Sequence, residues 1–240
     1  MSGHSKWATT HRQKAIVDAK KGAIFTKLAN VITIAAKTGG DPDANSSLRS
    51  AIDQARSANM PKDNIERAIK KGTGELAGEQ IEELYYEGII PPGVQVIVKC
   101  LTDNKNRSGS TVRHLFTKIG GAFSSVMWNF EQLGAISISH EEIKDKHIGY
   151  EDLELELIDQ EIKDFSKEDE GITVYTDIKD LQKIKDFLEN DKKLKVERAD
   201  LDYVAKEKMD LSEDDKTKLE KFIEELEDNE DVNDFYTNFN

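Results

Sequence analysis

The sequence predicts an α+β protein of three domains, an N-terminal helical domain followed by two small α+β sandwich domains, one inserted in the other. Three observations predict it. Apolar residues in the first 75 positions recur at three-to-four spacing, and those after Gly74 gather in short β-branched runs separated by helical stretches. Charge also changes sign along the 240 residues: positions 1–75 hold 13 Lys/Arg against 7 Asp/Glu, 76–135 hold 5 against 6, and 136–240 hold 16 against 34. The formal charge of −13 therefore hides a basic head on an acidic body.

A first helix is predicted near Arg12 to Lys21. A second carries Ile24, Leu28, Val31, Ile32 and Ala35 on one face and ends at Gly39-Gly40-Asp41-Pro42. Leu48, Ala51, Ile52, Ala55 and Ala58 mark a third, and Ile65, Ala68 and Ile69 a fourth, with Pro61 at its first turn and Gly72 as its C-terminal cap. Tyr85 to Ile90 and Val94 to Leu101 then read as strands around Pro91-Pro92-Gly93. Arg107 to Ile119 reads as a helix stopped by Gly120-Gly121, and Ser125 to Phe130 and Ala135 to Ser139 as two more strands around Gln132-Leu133-Gly134.

Beyond His140 the expected order is a helix at Tyr150–Ile158, a strand at Ile172–Tyr175, a helix at Asp177–Leu188 and a strand at Leu194–Leu201. A capping box at Ser212-Glu213-Asp214-Asp215 starts a last helix, and Val232 to Phe239 closes as a strand. That final helix and strand need a sheet to pack on. The middle segment has too few elements to cover its own faces, so the predicted division is 1–75, 76–135 plus 205–240, and an inserted acidic domain at 136–204.

Composition excludes several classes. No apolar stretch approaches the ~20 residues that span a bilayer, and the N-terminus has no apolar core of a signal peptide. A single cysteine, Cys100, forms no intrachain disulfide and no cysteine-based zinc site, which points to a reducing cytoplasm. None of the five histidines has metal-ligand spacing, and neither a phosphate-binding glycine loop nor a nucleophile elbow is present. The expectation is a protein that is not an enzyme, with no catalytic residues, no metal and no cofactor.

The basic head is the candidate site. Lys6, Trp7, His11, Arg12, Lys14, Lys20, Lys21 and Lys27 combine an indole with phosphate-seeking cations, the recipe for nucleic-acid contact. Trp7 also reads as a hydrophobic staple closing the helical domain. Lys62, Arg67, Lys70 and Lys71 extend the basic set along the next helix. A second contact loop is read in Leu101-Thr102-Asp103-Asn104-Lys105-Asn106-Arg107. Asp103 and Asn106 suit turn and cap chemistry, whereas Lys105 and Arg107 oppose the dipole at a helix start and so suggest an anionic partner.

These residues carry a resemblance. Met-Ser-Gly-His-Ser-Lys-Trp at 1–7, Asp18-Ala19-Lys20-Lys21-Gly22, Ile24-Phe25-Thr26-Lys27-Leu28 and the block from Ala58 to Gly72 resemble the YebC/PmpR family. Tyr86-Glu87-Gly88, the 101–107 loop, Gly120-Gly121 and Tyr236-Thr237-Asn238 continue it over the whole chain. The stretch after Gly120-Gly121 is shorter than the usual family form, and 140–170 is more acidic. The resemblance implies three domains around a cleft and a cytoplasmic transcriptional regulator that binds DNA. As the alternative it implies a ribosome-associated factor that binds ribosomal RNA and relieves stalling at proline-rich stretches, as bacterial members do, the mitochondrial relative being a translational activator. A third reading is an adaptor whose acidic domains grip a basic partner. No membrane partner is expected, and the oligomeric state defaults to monomer.

Overall fold

The computed structural model describes residues 21–76, 80–168 and 171–239. Helix α1 (Lys21–Ala36) buries Ile32 and Ala36 against α2 (Ser46–Ser57) and α3 (Lys62–Gly72), which contribute Leu48, Ala51, Ile52, Ala55, Ile65 and Ala68. Asn45 joins the first two. Its side-chain oxygen accepts from the Leu48 amide at 3.0 Å, capping α2, while its nitrogen donates to the carbonyls of Ala35 and Gly39 at 2.8 Å. Between α2 and α3, Asn59 takes the left-handed conformation (φ 60°) within the four-residue turn that redirects the chain.

The chain continues through β1 (Glu82–Ile90), β2 (Val94–Thr102), α4 (Lys105–Lys118) and β3 (Ala122–Phe123). It then runs through β4 (Phe130–Ser139), α5 (His140–Asp145), α6 (Tyr150–Asp159), β5 (Asp164–Lys167), β6 (Gly171–Thr176), α7 (Leu181–Asp186) with a π turn over Phe187–Asp191, and β7 (Arg198–Ala205). Helix α8 (Glu213–Glu227) and β8 (Val232–Thr237) follow. Two antiparallel sheets result, ordered β3-β1-β2-β8 and β5-β6-β4-β7. The fold is α+β with a helical N-terminal region, as the periodicities predict.

Phe116 of α4 and Phe222 of α8 meet edge to face over the first sheet, on Val96, Val98 and Phe235. Leu153 and Leu157 of α6 and Ile184 of α7 cover the second, on Ile136, Ile138, Ile172 and Val174. Between the sheets lies a smaller cluster of Ile97, Val126, Phe130, Ala205 and Tyr236. Tyr203 touches Tyr85 and Tyr236 edge to face at its margin, with centroids 5.5 and 5.4 Å apart.

Several expectations need correction. Ser125–Phe130 and Ala135–Ser139 are not two strands: a 3-10 turn at Met127–Asn129 leads into the single strand β4. Gly134 does not turn the chain. It lies in mid-strand opposite Thr176 and Leu201, and a Cβ there would come within 2.5 Å of Thr176 Oγ1 and 3.0 Å of Leu181 Cβ, so glycine admits α7. Phe130 through Leu133, expected with the middle domain, pair with Ala205 through Asp202 of β7.

The strand expected at Leu194–Leu201 is β7, four residues later. Leu194 is a buried loop anchor bonded back to the Leu188 carbonyl, while the strand's buried positions include the polar Arg198 and Asp202. Apolar alternation pointed to the wrong register for that reason. Gly72 is the last helical residue rather than the cap, which is Thr73.

Candidate nucleic-acid interface

Helix α3 sorts its cations by face. Ile65 and Ala68 point into the helical core, which turns Lys62, Arg67 and Lys70 to the outer surface, all exposed. Arg67 and Lys70 are three residues apart and so neighbours on that surface. Neither has a carboxylate within ion-pair distance among the described residues. Lys62 pairs with Glu66 at 3.3 Å across one turn with its side chain 87% exposed, a contact too solvated to hold it from an anion.

Lys71, one turn beyond Arg67, is half-buried rather than exposed. It lines a cleft of about 550 Å³ between the helical domain and the first sheet, together with Asn30, Asp103, Arg107 and Asp231. The other expected cations on this side are engaged within the protein. Lys27 donates to the Glu227 carbonyl at 2.6 Å, a cation at the C-terminal end of α8 where the helix dipole favours it. Lys105 pairs with Glu82 at 2.7 Å, its side chain still 60% exposed, so it is the least firmly held of these.

Arg107 donates through Nε and Nη2 to both oxygens of Asp231 at 3.2 and 2.9 Å, and through Nη2 to Asp103 at 2.9 Å. Its bonds to Asp231 first, then the Asp231 charge and Asp103, hold the guanidinium above its ordinary pKa. Asn104, rather than Asp103 or Asn106, caps α4 by accepting from the Arg107 amide at 3.0 Å. The 101–107 loop is therefore an ion-paired joint between strand, helix and tail. Lys6, Trp7, His11, Arg12, Lys14, Lys20 and the side chain of Lys21 lie outside the described residues.

Two family models match, the TACO1/YebC protein N-terminal domain over residues 5–75 and the TACO1/YebC second and third domain over 81–239. The chain belongs to the TACO1/YebC family. A probable transcriptional regulatory protein of Thermoanaerobacter pseudethanolicus is 46% identical over 99% of this chain and 96% of its own length. Another, from Chlorobium chlorochromatii, is 44% identical over 99% and 95%. The crystal structure of a conserved hypothetical protein from Aquifex aeolicus superposes with a TM-score of 0.85 at 39% identity, over 94% of this chain and 93% of that one.

In this TACO1/YebC chain Cys100 is fully buried in β2, and burial raises its thiol to about 11, so it carries little thiolate near neutrality. His140 is bonded at both ring nitrogens, to the Glu168 carbonyl and the Tyr150 hydroxyl at 2.7 Å. Among the described residues no group of three or more His, Cys, Asp and Glu is arranged to hold a metal ion, and no helix is long and apolar enough to cross a membrane. Sequence reading missed Trp128, which it placed inside a strand. The only signal was the polar Asn129 beside the indole and the pair Ser124-Ser125 ahead of it, which interrupt the apolar run.

Proposed function

We propose that the chain is a non-catalytic, cytoplasmic, nucleic-acid-binding regulator of gene expression that grips DNA through its basic N-terminal domain. The observation that carries this reading is the outer face of α3, where Arg67 and Lys70 stand exposed and without an ion pair among the described residues, on a domain of net positive charge. The acidic remainder repels phosphates and orients the molecule with its basic end toward them. The sequence shows no helix-turn-helix signature, but the four-residue connection from α2 to α3 has the length such motifs use, and α3 would be the helix presented. The names of the relatives, probable transcriptional regulatory proteins, favour the same reading.

Ribosomal RNA is the second reading, favoured by the exposed indole of Trp128, which suits unstacked bases better than a closed duplex. The test is a salt titration of the full chain on DNA and on RNA. Affinity should fall by about 10³-fold or more between 50 and 200 mM salt if six phosphates are engaged. Arg67→Glu with Lys70→Glu should weaken binding and reduce the log–log salt slope by roughly two, with unchanged thermal midpoint. Salt-independent binding, or an unaltered slope, would remove the basis for this assignment. Crosslinking in cells then separates promoter DNA from ribosomal RNA.

A further inference from the structure

Trp128 shares with Leu155 the greatest exposure of any large apolar side chain among the described residues, at 63%, yet it stands on a turn anchored by the first sheet and by the segment after β7. Glu87 of β1 accepts from the backbone amides of Val126 and Met127, both at 2.7 Å, and fixes the start of the 3-10 turn. The indole Nε1 donates to the Ser125 carbonyl at 3.2 Å, which sets the ring's orientation and leaves its faces as what it can offer. The next residue, Asn129, is buried and bonded to Gln95 at 2.7 Å and to both backbone groups of Glu207 at 3.0 Å.

Lys206 donates to the Trp128 carbonyl at 3.2 Å, and Lys206 and Lys208 are both exposed on the returning segment. A mobile surface tryptophan would lose entropy on binding. One already locked by its neighbours loses little, which is the condition for a recognition platform. An aromatic face beside a cation matches a base and its phosphate.

We propose that Trp128 is a stacking platform for an unpaired nucleobase, with Lys206 as its phosphate-side companion at the junction of the two sheets. This rests on the nucleic-acid reading above and adds a second contact to it, remote in sequence from the basic head. The shared chemistry is an unpaired base of either DNA or RNA.

The test uses the full chain in a Trp7→Phe background, where Trp128 is the one remaining indole of the two. Single-stranded oligo(dT) and oligo(U) should quench its fluorescence on binding, and the stronger of the two names the polymer. In the otherwise unaltered chain, Trp128→Ala should weaken oligomer binding by about 5- to 150-fold, and Trp128→Phe should restore most of it. An abasic oligomer should bind the Trp128→Ala chain as well as the unaltered one. Oligomers that bind without quenching, and equally well to Trp128→Ala, would overturn the platform while leaving the nucleic-acid function standing. So would a Trp128→Ala chain that loses only a protein partner. Failure of the unaltered chain to bind any polymer overturns both.

Discussion

Arg198 lies in β7 with only 8% of its surface exposed, and its guanidinium makes two hydrogen bonds to the carboxylate of Asp202, four residues along the same strand. Burial alone would weaken its charge. Asp202, through its field and its hydrogen bonds, and then Asp200 and Asp234, overcome that and hold the guanidinium well above its ordinary pKa. Asp202→Asn removes the paired charge with little change of shape, so about 3–5 kcal/mol of stability should be lost in urea denaturation. Replacing both, Arg198→Met with Asp202→Leu, should recover most of it, because no buried charge then lacks its partner. A loss below 1 kcal/mol for the single variant would show that Asp200 and Asp234 suffice. Sequence makes cations visible and their partners invisible. Lys27 reads as a phosphate contact until its acceptor, 200 positions away, is known, and Arg107 until Asp231, 124 positions away, is folded against it. Arg67 and Lys70 stayed legible because apolar spacing alone turns them outward.

At the scale of elements, α1 and α3 approach so closely that a Cβ on Gly72 would lie 2.4 Å from the Thr33 carbonyl oxygen and 2.6 Å from Ala36 Cβ. Thr33 bonds across the same contact to the Ala68 carbonyl at 3.2 Å. Gly72→Ala must push the helices apart, and overpacking of about 1–3 kcal/mol should outweigh the ~1 kcal/mol that alanine gains in helix propensity. Gly22, where a methyl group would meet nothing within 4 Å among the described residues, is the control: Gly22→Ala should raise the thermal midpoint while Gly72→Ala lowers it. A raised midpoint for both would mean the helix contact yields. Sequence pattern located α1, α2, α3, α6, β6 and α8 because each shows one apolar face. It missed β5, a polar edge strand reading Asp-Phe-Ser-Lys, and α5, a six-residue helix with a single buried side chain, Ile143. Short polar elements owe their state to the neighbours they pair with, and periodicity does not record neighbours.

At the scale of the whole molecule, the connectivity of the two sheets decides what can be removed. The chain enters the second sheet at Phe130 and leaves it at Ala205, and the flanking residues touch, since the Lys206 amide donates to the Asn129 carbonyl at 2.7 Å. The first sheet depends on the returning tail: β8 pairs with β2, and Leu219, Phe222, Ile223 and Leu226 of α8 fill its core beside α4. We propose that 130–205 is a separable inserted domain, flanked by a middle domain of residues before 130 and after 205. An excision beginning at residue 140 would strand β4 without a sheet, so the cut belongs between Asn129 and Lys206, closed by a short Gly/Ser linker. That variant should still unfold cooperatively, with a lowered midpoint because Ile97, Val126 and Tyr236 lose their cover. Truncation after Ala205 removes α8 and β8, opens the β2 edge and bares the core face of α4, which should cause aggregation. Circular dichroism melts and size-exclusion chromatography read both outcomes. A soluble, cooperative truncation beside a collapsed excision would assign the tail to the second sheet's domain and defeat the insertion.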